Sequence, residues 1–497
     1  MEAARATVVM RADASPALGT GHVKRCLAIA ELLQARDADV HFVTRPAGDY
    51  SARLFRNCGI PIYSLPAAAA KSPMDDSAAM KSAIASLGAV PDWLIVDHYA
   101  LDERWERALR LDVRRILAID DLADRVHDVD ALLDPNLYED AGRRYYGKVP
   151  AHCRLLLGPR FAVLREEFRR ARASATARTG RISRILVFFG GGPLAAAFTL
   201  AAIRALGDAG LRSVVVDVVF QADERDRAVI AEACATHGFS FHDATDRMAE
   251  LMSGADFGVG AGGTTLWERC CLGLPCLTFA LADNQRQQIR DAAAAGVVIA
   301  SGSKPDNPGS FAEPLVSALG NPAHIAAVSR RAMAVVDGRG TERLLRTLGF
   351  TPVHVREAVA ADSGPMLEWR NKPSIRQASR NGATIDLATH QAWFDSTLAN
   401  PDRILLIGEL AGKPVGVVRF DIGGDSAEVS IYTLAGAGGR GLGGDLLCAA
   451  ENWLMFVRPD VKSLRAEVLA DNPPSHALFA ASGYCRNQSN YVKALRP

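Results

Sequence analysis

The run VVMRADASPALGTGHVKRCLAIAELL, residues 8–33, decides the fold. Its apolar opening reads as a β-strand ending at about Arg11, Gly19 and Gly21 occupy the connection, and an amphipathic helix begins near His22. Glycines permit a tight turn, which aims the free N–H groups and positive dipole end of the following helix at a ligand. A lone G-x-G is as compatible with a plain strand–helix turn, so the chemistry rests on His22. An imidazole titrates near neutrality and suits a general base, although a histidine at a helix start can equally be a capping or solvated group. Asp13 either orients this ring or is a simple turn residue.

Working outward, the same rhythm repeats. ATVVM, DVHFVT, DWLIVDH and RILAIDD precede a break, and ISRILVFFG, VVVDVVF and ADFGVGAGG follow it, each leading into a helical pattern. Strands alternating with helices predict parallel sheets covered on both faces. The break, FRRARASATARTGRISR, is poor in large apolar groups and predicts a linker near residues 168–183. Two Rossmann-like domains are therefore expected, at 1–170 and 180–348. Asp97, His98, Asp120 and Asp121 fall at strand ends, where polar groups of such sheets converge on one crevice. After Gly349 the pattern changes to α+β: Pro352 precedes a strand, LLIGELAGKPVGVVRF reads as a hairpin turning at Gly412, and the third domain is placed at 352–497.

Composition narrows the function classes. A chain of 497 residues, at about 150 per domain, holds roughly three domains. Lys+Arg 57 against Asp+Glu 56 leaves +1, so no global field points to nucleic acid or an anionic membrane. The nine cysteines include no C-x-x-C pair, which argues against a disulfide framework or structural zinc. With no apolar run of signal-peptide or membrane-span length, a cytoplasmic setting is expected, and no metal is inferred.

In the second domain GVGAGGTTLWERCCLGLPCLTF reads strand, glycine turn, helix, turn and strand. Gly262, Gly263, Thr264 and Thr265 present N–H and hydroxyl donors at a helix start, a geometry that suits a diphosphate. Glu268 lies one helical turn on, within reach of a ribose diol, or else is a surface glutamate paired with a neighbouring arginine. LADNQRQQ then places Asn284 and Gln285 after a strand, where amides read sugar hydroxyl and acetamido groups.

The strings RADAS, GTGHVKRCL, VDHY, IDDLADRVHD, LLLGPRFAVLR and GAGGTTLWERCCLGLP together resemble the UDP-sugar hydrolases of pseudaminic acid biosynthesis over about residues 7–348. That resemblance implies two Rossmann-like domains in the GT-B arrangement and cleavage of UDP-2,4-diacetamido-2,4,6-trideoxy-β-L-altropyranose. It makes His22 the catalytic histidine, puts Gly19, Gly21 and Asn284 in the sugar-nucleotide site, and gives Glu268 the ribose. A GT-B core alone does not say whether water or a sugar hydroxyl is the acceptor, so a UDP-sugar glycosyltransferase is the competing reading.

The third domain carries AEVSIYTLAGAGGRGLGGDLLCAAENWL, a strand followed by a glycine-dense turn and a helix from about Gly444. Successive N–H groups of such a turn can wrap a pyrophosphate. The string resembles the GNAT N-acetyltransferase motif, with Gly441 and Gly443 on its glycines, Gly438 in place of its first Arg or Gln, and Arg440 and Gly444 beside it. LRAEVLADNPPSHALFAASGY resembles that family's second segment, matching at Asn472 and Ser475 but with Phe479 at its usual tyrosine. The resemblance implies acetyl-CoA as co-substrate. Phenylalanine cannot protonate a thiolate, which leaves Tyr484, Tyr432 or solvent for that role. MLEWRNKPSIRQAS and HQAWF resemble the domain that acetylates the 4-amino sugar nucleotide of the same pathway, so Arg370 and His390 are acceptor-site candidates, with Glu428 as the amine's base. UDP-activated amino sugars are the expected substrates; a catalytically silent CoA-binding module is the competing reading of this domain.

Overall fold

The computed structural model describes residues 5–15, 19–45, 54–56, 58–66, 72–190, 194–211, 213–220, 224–243, 245–302, 311–379, 381–434, 441–487 and 490–495. The chain divides into two compact units, Met1–Arg343 and Leu344–Pro497.

The first unit contains two parallel sheets. The first lobe holds β1 (Thr7–Ala12), β2 (Asp39–Thr44), β3 (Ile62–Ser64), β4 (Trp93–Asp97), β5 (Ile116–Ile119), β6 (Ala131–Asp134) and β7 (Arg154–Leu157), in the order β3-β2-β1-β4-β5-β6-β7. The second holds β8 (Arg184–Phe188), β9 (Val215–Phe220), β10 (Ser240–Asp243), β11 (Phe257–Ala261), β12 (Cys276–Phe279) and β13 (Ile299–Ala300), in the order β10-β9-β8-β11-β12-β13. Every pairing in both is parallel. These are two Rossmann-like sheets, as their unbroken apolar strands require, since a parallel strand is buried on both faces. β1, β4, β5, β6 and β11 are buried along their whole lengths.

Strand order reverses between β1 and β4 in the first sheet and between β8 and β11 in the second. The crevice beyond the carboxyl ends of such strands is where open α/β sheets bind ligands. His22 follows β1, Asp97 ends β4, and Gly262–Thr265 follow β11.

The stretch expected to be a loose linker is built into the second lobe. It contains the helix Glu166–Arg172, whose Phe168 is fully buried. Arg178 then donates to the carbonyl oxygens of Met252, Ser253, Ala255 and Leu272 at 2.9, 3.0, 3.1 and 2.5 Å. Those carbonyls close the helices Met248–Gly254 and Thr264–Cys271, where unpaired acceptors and the negative dipole end favour a cation. The segment's poverty in large apolar groups gave no sign of this, because an arginine rather than an apolar side chain anchors it.

The second unit is a mixed sheet of β14 (His354–Glu357), β15 (Arg403–Leu410), β16 (Lys413–Gly423), β17 (Ser426–Thr433), β18 (Ser463–Glu467), β19 (Cys485–Asn487) and β20 (Asn490–Ala494), ordered β14-β15-β16-β17-β18-β20-β19. Gly412, at φ 72°, turns the β15–β16 hairpin as its sequence suggests. β17 and β18 are parallel but pair only over Ser426–Glu428 and Ser463–Arg465, although β17 continues to Thr433. The strands part beyond that point. The helix Leu442–Val457 packs Leu446, Leu447, Ala450 and Leu454 on one sheet face, with Val418, Phe420 and Val429. On the other face Tyr432, Trp369 and Trp393 surround Leu405, Ile407 and Val417.

Candidate functional site

In the first lobe the helix Gly21–Gln34 opens beside the β1–β4 switch point with no acidic residue in its first turn and no side-chain cap from Thr20. Gly19 adopts φ 75°, and a Cβ built on Gly19 or Gly21 would meet nothing within 4 Å. The helix start is thus open to a ligand. His22, 7% exposed, donates from Nδ1 to Oδ1 of Asp97 at 2.6 Å. Arg25, one turn along the same helix face, donates from Nε to Oδ2 of Asp97 at 2.7 Å and from a terminal nitrogen to Oδ1 at 2.8 Å. Burial works to raise the Asp97 carboxyl, but Arg25 and then His22 outweigh it and hold the group well below the usual carboxylate range. An ionised Asp97 fixes the proton on Nδ1, which leaves Nε2 as the basic nitrogen. The Tyr99 ring stands edge-on to the imidazole with centroids 4.6 Å apart. Burial, with Asp121 nearby, pushes the Tyr99 hydroxyl well above its ordinary range, so it is a donor at any ordinary pH.

Asp13 has a different place from the one expected. It accepts from Arg11 at 2.5 and 2.8 Å, from the Arg45 backbone N–H at 2.8 Å and from Thr44 Oγ1 at 3.3 Å, and lies 3.3 Å from His98 Nε2. Asp76 shares Arg11 and Arg45 and accepts Trp105 Nε1 at 2.9 Å. With two arginines, a histidine and a threonine competing for it, Asp13 braces the β1 loop; the carboxylate that orients His22 is Asp97. The separation of 75 residues between partners hid that pairing.

In the second lobe Gly263, at φ 82°, starts the helix Thr264–Cys271, with Thr264 and Thr265 half-buried in its first turn. A Cβ on Gly262 would press on Ile289 at 3.0 Å and Gln285 at 3.3 Å. The Gly263 N–H donates to Gln288 Oε1 at 3.1 Å. Glu268 accepts from Arg165, which comes from the connecting segment, at 3.3 and 3.4 Å. Gln285 turns inward: its side-chain oxygen accepts from the Leu281 N–H at 3.0 Å and so locks the loop rather than presenting that oxygen to a ligand. Asn284 reaches across to the first lobe and donates to the Tyr99 hydroxyl at 3.4 Å. The two halves of the candidate site therefore meet at Tyr99, beside His22. Sequence reading missed Arg25, Tyr99, Arg165 and Gln288; of these only the i, i+3 spacing of His22 and Arg25 on one helix face was a usable signal.

Of the acetyltransferase candidates, Arg440 and Gly438 lie outside the described residues. Gly441 adopts the left-handed conformation at φ 75° and starts the helix Leu442–Val457, two residues earlier than expected. Gly443 lies in its first turn, near Thr433 at the parted end of β17. The parted strands and a helix start rich in glycine fit the pyrophosphate and pantetheine arm of acetyl-CoA. Gly444 faces the other way: Arg346 lies 2.7 Å from where its Cβ would be, and its N–H donates to the Gly441 carbonyl. Asn472 Oδ1 accepts the Ser475 N–H at 3.2 Å and caps the helix Pro473–Ala481.

One acid/base candidate and one acceptor-site candidate are corrected. Tyr484 is 4% exposed, packs edge-on to Phe479 and donates to Glu451 Oε1 at 2.9 Å; burial and Glu451 push its hydroxyl well above the ordinary range, so it is a core group. His390 is buried, and its Nε2 donates to the Ser363 carbonyl at 2.9 Å, which ties two helices together. Arg370 donates to the Asn381 carbonyl at 2.7 Å, while its Nη1 is buried without a hydrogen-bond partner among the described residues. The Tyr432 hydroxyl on β17 is likewise buried with no hydrogen-bond partner among the described residues. Glu428 is exposed and lies on the same sheet face as Tyr432, two strand repeats away.

The fold defines a protein with two Rossmann-like domains in series, followed by a mixed-sheet domain. Residues 353–484 match the family model described as Acetyltransferase (GNAT) domain, which implies acetyl-CoA as co-substrate. The N-terminal region is distantly similar to sugar-nucleotide enzymes. Over 162 residues, 32% of this chain and 53% of the relative, it is 32% identical to UDP-2,4-diacetamido-2,4,6-trideoxy-beta-L-altropyranose hydrolase of Campylobacter jejuni. Over 157 residues, 31% of this chain and 45% of the relative, it is 28% identical to the spore coat polysaccharide biosynthesis protein SpsG of Bacillus subtilis. The chain thus spans about half the length of these curated relatives. Among solved structures, Acinetobacter baumannii MurG aligns with 69% of this chain and 99% of its own at 18% identity, with a TM-score of 0.47. No helix among the described residues is long and apolar enough to cross a membrane.

Proposed function

We propose that the chain is a bifunctional sugar-nucleotide enzyme. Its Rossmann-like lobes hydrolyse UDP-2,4-diacetamido-2,4,6-trideoxy-β-L-altropyranose to the free sugar and UDP. Its C-terminal domain transfers acetyl from acetyl-CoA to the preceding UDP-4-amino sugar. The observation that carries the reading is the His22–Asp97 pair at the β1–β4 switch point, with Tyr99 beside it held by Asn284 of the opposite lobe. The name of the Campylobacter relative supports the substrate class.

In the proposed chemistry His22 Nε2 takes a proton from water as the water oxygen bonds to the anomeric carbon. The bond from that carbon to the diphosphate oxygen breaks, its electron pair leaves with UDP, and the anomeric centre inverts. Asp97 stabilises the imidazolium that forms, while Thr264 and Thr265 at the helix start meet the charge that develops on UDP, the N–H groups of Gly262 and Gly263 being taken by the Phe279 carbonyl and Gln288. Glu268 takes the ribose hydroxyls and Asn284 a sugar substituent. In the acetyltransferase step the neutral amine attacks the thioester carbonyl, the C–S bond breaks with CoA leaving as a thiolate, and Glu428 takes the proton that the nitrogen loses. A free thiol has a pKa of about 8.5, so at neutral pH the thiolate takes up a proton, from Tyr432 or water.

The test is to incubate the full chain with the UDP-4-amino sugar, with and without acetyl-CoA, and to follow thiol, UDP and free sugar. Thiol release followed by equal amounts of UDP and diacetamido sugar is the expected result. UDP release that requires an added sugar acceptor would replace the hydrolase reading with a glycosyltransferase one, and absence of thiol release would leave the C-terminal domain without its proposed activity.

A further inference from the structure

Outside the groups just assigned, one buried polar chain runs from the first lobe into the turn that starts the helix Thr264–Cys271. Asn136, just beyond β6, accepts on its single Oδ1 from Trp267 Nε1 at 3.0 Å and from Gln288 Nε2 at 2.6 Å. Gln288 then accepts the Gly263 N–H on its own oxygen. Asn136, Gln288 and Trp267 are 6%, 3% and 2% exposed. Asn136 is itself anchored, because its backbone N–H donates to Asp134 Oδ1 at 3.0 Å, and Asp134 accepts the Tyr145 hydroxyl at 3.0 Å.

An amide oxygen has two lone pairs, and both are taken here by donors of the opposite lobe. A fully satisfied buried network fixes one arrangement, whereas losing its central acceptor strands two buried donors at once. The relay also claims one N–H of the glycine turn, which steers an incoming anion toward Thr264 and Thr265. We infer that Asn136 is a positioning residue which, through Gln288 and Trp267, sets the first turn of the helix Thr264–Cys271 at a fixed distance and angle from His22. This inference rests on the proposed hydrolase reading for its catalytic consequence, but not for its structural one.

Two measurements on the full chain separate those levels. The first is amide hydrogen exchange over Gly262–Trp267 in Asn136→Leu, Gln288→Leu and the double variant, with Asn136→Asp retaining the accepting oxygen. The second is the rate of UDP release, together with the Kd for UDP. The expected result is faster exchange in that segment for the three leucine variants and near-native exchange for Asn136→Asp. With it, kcat falls about 10- to 100-fold while the UDP Kd stays within about two-fold, because misplacement costs the reaction rather than nucleotide binding. The double variant loses no more than the worse single variant, since both break one relay. Unchanged exchange, additive losses, or a UDP Kd that weakens as much as kcat/KM falls would overturn the positioning role. Should the native chain release no UDP, the hydrolase reading fails and the exchange result alone decides the relay.

Discussion

Arg25 closes on Asp97 with two hydrogen bonds, at 2.7 and 2.8 Å, one helical turn beyond the imidazole that the same carboxylate holds. The carboxylate is shared between a permanent cation and the imidazole, so the arginine keeps it ionised and holds it against the ring. Arg25→Gln strips the buried carboxylate of its permanent cation, and stability is expected to drop by about 3 kcal/mol, with a lower kcat for UDP release. A thermal melt beside steady-state kinetics checks both; a native melting temperature and rate would detach Arg25 from the site.

His22→Asn keeps a side chain that can bond Asp97 but removes the basic nitrogen. UDP release is expected to fall by about 10²- to 10⁴-fold, the usual worth of a positioned base, with the UDP Kd little changed. Single-turnover kinetics and calorimetry together make the comparison.

Removing residues beyond Gly349 deletes the acetyltransferase domain near the division between the two compact units. The shortened chain is expected to release UDP from the diacetamido substrate at the native rate and to show no CoA-dependent thiol release. Loss of both activities would mean that the lobes depend on the second unit.

Tyr484→Phe removes a buried hydrogen bond to Glu451 and nothing the acetyl transfer needs. A loss of about 1.5–3 kcal/mol in stability with near-native thiol release is expected, as for a bond to a charged partner. Tyr432→Phe should do the reverse if that hydroxyl supplies a proton: a slower transfer without a lower melting temperature.

His127 offers a stability test independent of any activity. Burial alone would lower its pKa, but the Asp120 carboxylate, 3.7 Å from Nε2, and Glu106, which accepts from Nδ1 at 2.7 Å, push the imidazolium up to about 9 from an ordinary 6.5. The folded value is the higher one, so the pair's contribution is complete below about pH 6.5 and disappears as pH rises through about 9. At about 1.4 kcal/mol per pKa unit it is on the order of 3 kcal/mol. The stability difference between the native chain and His127→Gln should therefore shrink from pH 6 to pH 10; a constant difference would contradict it.

The glycine turns were legible because strand–glycine–helix is a local pattern, and parallel sheets force such turns to the carboxyl edge where Gly21, His22 and Gly262–Thr265 stand. Asp97 and Asp121 were legible as strand-end groups for the same reason. What each side chain bonds was not. Asp13 and Asp97 look alike in sequence, and only tertiary packing gives one to Arg11 and Arg45 and the other to His22. Tyr484 and His390 carry the right chemistry for catalysis, but their neighbours Glu451 and Ser363 turn both into interior fasteners. The short strands β3, β10 and β13 sit at or near sheet edges with few apolar residues, which is why periodicity passed over them.

Arg178 stitches the connecting segment to the carbonyl ends of two helices. The crossover is therefore anchored to the second lobe, and Arg165, just upstream, grips Glu268 of that same lobe. On the proposed reading a ribose hydroxyl arriving at Glu268 competes with this guanidinium, so docking the sugar loosens the very clasp that fastens the crossover.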